Sequence, residues 1–137
     1  MRTNTKIKDR RAALTLMELM VVILIVGILA AAAIPIMRGK IDNAKWAEAN
    51  SAAGMIRSAV KVYFAEHGTG VTGSLSDVSV LNALAIGAGD LTGTYFVASD
   101  YNIDSVNSSG IATVTVKGSL PKAPTGSKTL YPNGDWE

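Results

Sequence analysis

Hydrophobic and polar positions divide this chain into three stretches with different periods. From Leu19 to Met37, nineteen consecutive residues carry no charge and are rich in Val, Ile, Leu and Ala; the run ends at Arg38 and Lys40. As a helix it would span roughly 28 Å at ~1.5 Å per residue, close to a bilayer's hydrocarbon core of about 30 Å. Beyond Pro35 the pattern becomes helical and two-faced to about Glu66. Ile41, Ala44, Ala52, Met55, Ile56, Ala59 and Tyr63 fall on one stripe, and Lys45, Glu48, Asn50, Arg57 and Lys61 lie mostly elsewhere. Small residues from Ala44 to Gly54 would admit a sheet or another helix at close range, and Trp46 falls either in that packing zone or near the outer membrane interface. His67 and Gly68 read as a last-turn cation and a stop, which gives a helix from about Thr15 of roughly 75 Å. Proline lacks an amide hydrogen and clashes with the preceding turn, so Pro35 is expected to kink or open the helix near Ala31.

After a Gly, Thr and Ser-rich connection over residues 68–76, the period shortens. Asp77 or Ser79 caps a short helix containing Val80, Leu81, Leu84 and Ile86, closed by Gly87. Strands are expected over Gly93 to Ala98, Tyr101 to Val106, Ile111 to Lys117 and near Thr129 to Tyr131, from their β-branched and aromatic content. Asn107-Ser108-Ser109-Gly110 is a hairpin turn, and Gly118 to Ser127, with Pro121 and Pro124, is a loop. Ala112, Val114 and Val116 share one strand face, Thr113 and Thr115 the other. The expected class is α+β: a long N-terminal helix, membrane-spanning in its first half, with its second half packed on a small antiparallel sheet of three to four strands.

Charge sharpens this picture once the chain is divided. Residues 1–13 carry five basic side chains against Asp9, whereas residues 14–137 carry eight basic and ten acidic ones. The basic pI therefore comes from the leader, and no nucleic-acid partner is expected. A basic flank upstream of the apolar run predicts a cytoplasmic N-terminus with the rest of the chain on the opposite side. There is no cysteine, and His67 is the single histidine, which removes disulfides, thiolate metal sites and most nucleophile–base pairs. Gly68-Thr69-Gly70-Val71-Thr72-Gly73 matches G-x-G-x-x-G but follows a long helix instead of a strand, so it is taken as a loop.

An uncleaved anchor and an ordinary secretory signal both fit the apolar run. The alanines from Ala30 to Ala33 supply a small-x-small site, and cleavage near Ala32 or Ala33 would release a soluble exported binding domain. Neither explains Glu18, an acid placed where an apolar core should begin. A carboxylate at the centre of a membrane helix costs several kcal/mol, on the order of 2.5 or more, so such an acid is paired, neutral or near the interface.

Ala13-Leu14-Thr15-Leu16-Met17-Glu18-Leu19-Met20-Val21-Val22, continuing to Gly27-Ile28-Leu29-Ala30-Ala31 and Ile34-Pro35, resembles the type IV pilin and type II secretion pseudopilin signal. In that family a prepilin peptidase cuts before the apolar run and methylates the new terminal amine. The resemblance implies removal of residues 1–13 after Ala13, methylation of Leu14, an apolar transmembrane and assembly helix over 14–37, and an extracytoplasmic domain over 38–137. Ala13 stands where glycine usually precedes the cut, and Leu14 where phenylalanine usually follows it.

The resemblance further implies a non-enzymatic structural subunit of a pilus-like filament or secretion pseudopilus. Its partners would be copies of itself and related pilins, the prepilin peptidase, an inner-membrane assembly platform and, before assembly, the lipid bilayer. Glu18 would pair with a neighbouring subunit's terminal amine, and subunits would loosen between Gly27 and Pro35 as they pack. The location implied is the bacterial inner membrane, single-pass, followed by a periplasmic or extracellular filament. The lack of a C-terminal disulfide leans towards a pseudopilin. No cofactor is implied, except that some major pseudopilins bind calcium in their C-terminal loops. Asp90, Asp100, Asp104, Asn133 and Asp135 are the oxygen donors that could serve, without EF-hand spacing.

Overall fold

A computed structural model describes residues 15–137. The chain forms two compact units, one ending at Gly39 and the other running Lys40–Glu137. One helix, α1 (Leu16–His67), enters both, followed by β1 (Gly73–Ser74), α2 (Val78–Ala83), two short 3₁₀ turns (Ala88–Leu91 and Ala98–Asp100), β2 (Tyr101–Val106), β3 (Ala112–Lys117) and β4 (Ser127–Leu130). The four strands pair antiparallel in the order β1-β2-β3-β4. This is the α+β arrangement expected from the sequence.

In the first unit every described residue is solvent-exposed. In the second, α1 buries Trp46, Ala49, Ala53, Ile56 and Val60, spaced by three, four, three and four, which keeps them on one face of a 3.6-residue helix. Ala49 and Ala53 are fully buried, and their small side chains let the sheet approach the helix closely. Opposite them lie Tyr101 and Ile103 of β2, Ala112, Val114 and Val116 of β3, and Leu130 of β4, with Leu75, Val80, Leu81, Leu84, Leu91 and Phe96 closing the sides. The buried stripe is rotated from the expected one: Ile56 belongs to it, and Ala52, Ala59 and Tyr63 are half-buried, but Ile41, Ala44 and Met55 are exposed. Trp46 is the reason. Its ring packs 5.3 Å from Phe96 and 6.0 Å from Trp136, and this aromatic cluster turns the helix so that Ala49 and Ala53 face the sheet.

The β2–β3 hairpin turns where expected. The Asn107 side-chain oxygen accepts from the amides of Ser109 and Ile111 at 3.0 and 2.9 Å, which closes the turn locally. Gly110 has φ 74°, and a Cβ there would strike the Phe64 ring, so the turn needs glycine on two counts. Alternation in β3 also matches, with Ala112, Val114 and Val116 buried. The register of β2 against β3 shifts between Ile103 and Ser105, placing a bulge at Asp104.

Three expectations about elements are corrected. Gly93 to Ala98 forms no strand, because the backbone amides of Thr94, Tyr95 and Phe96 are held by the Glu48 carboxylate and that of Val97 by Asp100, leaving none for a neighbouring strand. The glycine-rich segment after α1 contributes β1, which supplies an edge to β2 and gives the G-x-G-x-x-G run no helix to open. The short helix α2 is capped by Asp77, whose carboxylate accepts from the Ser79 amide at 2.8 Å, but it ends before Gly87. Its stop is Ala85 in the left-handed region at φ 53°, with the Ile86 amide reaching back to the Leu81 carbonyl at 3.0 Å.

Candidate functional site

The start of α1 is built by a reciprocal exchange between two side chains. The Thr15 hydroxyl accepts from the Glu18 amide at 3.1 Å, and the Glu18 carboxylate accepts from the Thr15 amide at 3.2 Å and its hydroxyl at 3.3 Å. Thr15-x-x-Glu18 is therefore a capping box, satisfying amides that the first helical turn would leave unpartnered. The sequence offers Glu18 two amines, that of Leu14 one helical turn away and that of a neighbouring subunit; the Thr15 partner is a third, and the Thr-x-x-Glu spacing before an apolar run carries its signal. An acid in the first turn also complements the positive end of the helix dipole. Ala13 and Leu14, the expected processing and methylation positions, lie outside the described residues.

Downstream of this cap, fifteen large apolar side chains between Leu16 and Met37 are 48% to 83% exposed. Burying a Val, Leu, Ile or Met side chain is worth about 1.5–3 kcal/mol, so leaving these in water would cost on the order of 20 kcal/mol. That exceeds the roughly 5–15 kcal/mol by which whole domains are stable. The segment requires lipid or other helices around it, and α1 is long and apolar enough to cross a membrane. Gly27 lies in this segment with no neighbouring atom within 4 Å of where a Cβ would sit. Pro35 is inside the helix, which runs on through Gly27 and Pro35 without the opening expected near Ala31. The missing Pro35 amide removes one backbone bond, and the flanking turns keep theirs.

The donors considered for calcium are engaged in local structure. Asp90 accepts from the Gly87 amide at 2.9 Å. Asp100, 5% exposed, accepts from the amides of Val97 and Ser119, both at 3.0 Å. Asp104 accepts from the Asn102 side chain at 2.7 Å and from the Thr115 hydroxyl. Asn133 and Asp135 bond each other across a turn. These five are not brought together: among the described residues no three His, Asp or Glu side chains are grouped to hold a cation.

Glu48 is the residue that sequence reading left as a surface charge. Its carboxylate accepts three consecutive amides, Thr94 at 3.2 Å, Tyr95 at 2.9 Å and Phe96 at 3.2 Å, and so straps residues 93–96 to α1. A Cβ at position 93 would collide with this carboxylate, which explains Gly93. Burial pushes the nearby Tyr101 phenol well above the usual tyrosine range, and the Glu48 and Asp100 charges add to the shift. On the other side of α1, the Arg57 guanidinium donates to the Pro132 carbonyl at 3.2 Å. The C-terminal segment also pairs with β4, the Glu137 amide donating to the Thr129 carbonyl at 3.2 Å, and Trp136 lies against Trp46. His67 has its ring stacked on Tyr63 at 4.1 Å and Nδ1 3.1 Å from the Tyr63 carbonyl.

Comparison with known proteins agrees with the geometry of both units. Residues 8–34 match the model of the prokaryotic N-terminal methylation motif. Over 128 residues, 93% of this chain and 77% of the relative, the chain is 30% identical to fimbrial protein EcpC of Eikenella corrodens. No solved structure matches the chain. A methylation motif that opens an exposed apolar helix, followed by a sheet packed on that helix's second half and a fimbrial relative along nearly the whole length, places this chain in the type IV pilin family.

Proposed function

We propose that the protein is a structural subunit of a type IV pilus-like filament, cut after Ala13, methylated on Leu14 and assembled through the first half of α1. The observation that carries this reading is the set of fifteen exposed apolar side chains next to the methylation motif. One surface has to satisfy two environments in turn, lipid before assembly and neighbouring copies of the same helix afterwards. The processing partner would be a prepilin peptidase, and the subunit would leave the inner membrane through an assembly platform. No catalytic step is assigned to it.

The fimbrial relative favours a pilus over a secretion pseudopilus. The lack of cysteine, which leans the other way, has little weight, because Arg57, Trp136 and the Thr129–Glu137 pairing hold the C-terminal segment by other means.

Glu18 carries two candidate roles, the helix cap and a charge offered to a neighbouring subunit's amine, and three variants separate them. Glu18→Gln keeps an acceptor for the cap and loses the charge; Thr15→Ala weakens the cap and keeps the charge; Glu18→Ala loses both. The expected outcome in sheared-filament yield is that Glu18→Gln and Glu18→Ala both lose assembly while Thr15→Ala retains most of it, with membrane insertion intact in all three. Normal filaments from Glu18→Gln would assign Glu18 to the cap alone.

A further inference from the structure

Within the second unit, one flank of α1 carries two cations that no acid answers. Arg57 and Lys61 are one helical turn apart and lie side by side, where like charges repel. Among the described residues the one ion pair is Asp42–Lys45, so neither of these cations is paired with a carboxylate. The bond from Arg57 to the Pro132 carbonyl uses one nitrogen and leaves the guanidinium further donors. Both side chains line a groove of about 240 Å³ together with Gly54, Ser58 and Ile111.

Gly54 adds an independent observation at the same place. After proline, glycine is the poorest residue for a helix interior. Among the described residues, no atom outside the helix's own backbone lies within 4 Å of where a Cβ would sit at position 54, so nothing in the chain requires the missing side chain. Its effect is to keep the groove open.

A complementary feature stands at the opposite edge of the sheet. The order β1-β2-β3-β4 puts β1 at one edge, and the groove lies toward the other, since Ile111 precedes β3 and Pro132 follows β4. The turn after β1 exposes Asp77 and Val78. At 65%, Val78 is the most exposed large apolar side chain described between Lys40 and Glu137. Asp77 accepts from the Ser79 hydroxyl and amide, both at 2.8 Å and both on Oδ1, and these bonds hold its carboxyl below the usual carboxylate range, so it stays charged. The other exposed acids do not combine these properties. Glu66 lies on α1 itself, Asp90 precedes a buried leucine, Asp104 bonds Asn102 and Thr115, and Asp135 and Glu137 lie on the groove's own side of the sheet.

Each feature thus joins charge to apolar surface: two cations beside Ile111 in the groove, a carboxylate beside Val78 on the turn. Because they occupy opposite sides of one unit, a contact between them joins copies head to tail and repeats, without closing into a twofold dimer.

We propose that the Asp77–Val78 turn of one copy docks into the Arg57–Lys61–Ile111 groove of the next, with Asp77 between the two cations and Val78 against Ile111. This deepens the filament reading and rests on it.

The chain has no cysteine, so introduced ones report alone. In sheared filaments of a Ser58→Cys/Val78→Cys double variant, both positions being exposed, a short bis-maleimide is expected to give a ladder of dimers, trimers and longer species, while either single variant stays monomeric. Filaments of normal yield without a ladder overturn the docking and leave the filament reading standing. Dimers from a single variant indicate a twofold contact and also overturn it. Gly54→Leu decides the matter independently if the double variant fails to assemble. Filling the groove should lower filament yield several-fold with the thermal midpoint no lower than wild type, since leucine is the better helix former; normal yield overturns the proposal. A wild-type chain that is processed but forms no filaments overturns the filament reading, and this proposal with it.

Discussion

The two halves of α1 belong to one helix, with fifteen large aliphatic side chains from Leu16 to Gly39 and five from Lys40 to His67, and they solve opposite problems. From Leu16 to Gly39 every side chain is exposed and the apolar residues follow no helical period. From Lys40 to His67 apolar and polar residues alternate with the helical turn, and the stripe from Trp46 to Val60 is buried under the sheet. A periodic half has its partner on one side and within its own chain. An apolar half without a period needs a partner that surrounds it, and the described residues do not supply one. Lipid and a bundle of identical helices are both partners of that kind.

An isoleucine-to-alanine substitution made in each half should have very different effects. Ile56→Ala should cost about 2–5 kcal/mol of folding stability, read as a lowered thermal midpoint, because a fully buried side chain leaves a cavity. Ile28→Ala, at a residue 64% exposed, should change folding stability by no more than about 0.5 kcal/mol. Equal losses at the two positions would show that the first half has a partner inside the chain after all.

A smaller effect is expected at Glu48, which ties the second half of α1 to the segment that sequence reading took for a strand. Glu48→Gln should cost about 1–3 kcal/mol, since three amides lose a charged acceptor, and hydrogen exchange at Thr94, Tyr95 and Phe96 should accelerate selectively. Unchanged exchange there would mean that those amides are protected by something other than Glu48.

The smallest effect lies away from the helix and serves as a control on it. Ala85→Gly relieves a left-handed backbone position and should raise stability by about 1 kcal/mol, with no change in membrane association.

These contrasts also show why some of the molecule was legible in the sequence and some was not. The apolar run, the Asn107–Gly110 turn and the alternation of β3 are signals carried by neighbouring residues, and each can be read locally. The strap is not local: Glu48 and Thr94 are 46 positions apart, and a carboxylate that takes backbone amides leaves no periodic trace. The 93–98 segment has the composition of a strand, but composition cannot register that its hydrogen bonds go to side chains. Asp100 illustrates the same point, since a buried carboxylate satisfied by two amides is indistinguishable in sequence from a free oxygen ligand. The rotated stripe on α1 was misread for a different reason. Trp46 and Trp136 are 90 residues apart, and their contact sets which face of the helix turns inward. The Thr15–Glu18 capping box was legible, and was hidden by a second and more specific reading of the same glutamate.

The proposed function depends above all on the exposed half of α1 staying in the product and becoming an assembly surface. Its most direct test is the mass of the N-terminal peptide of protein recovered from sheared filaments or from the extracytoplasmic face of the native membrane. A methylated terminus at Leu14 is the expected result, with residues 1–13 gone and the apolar run retained. A terminus at Ile34 or nearby would contradict the claim, since the run would then be a discarded signal and the sheet-bearing unit a soluble exported domain.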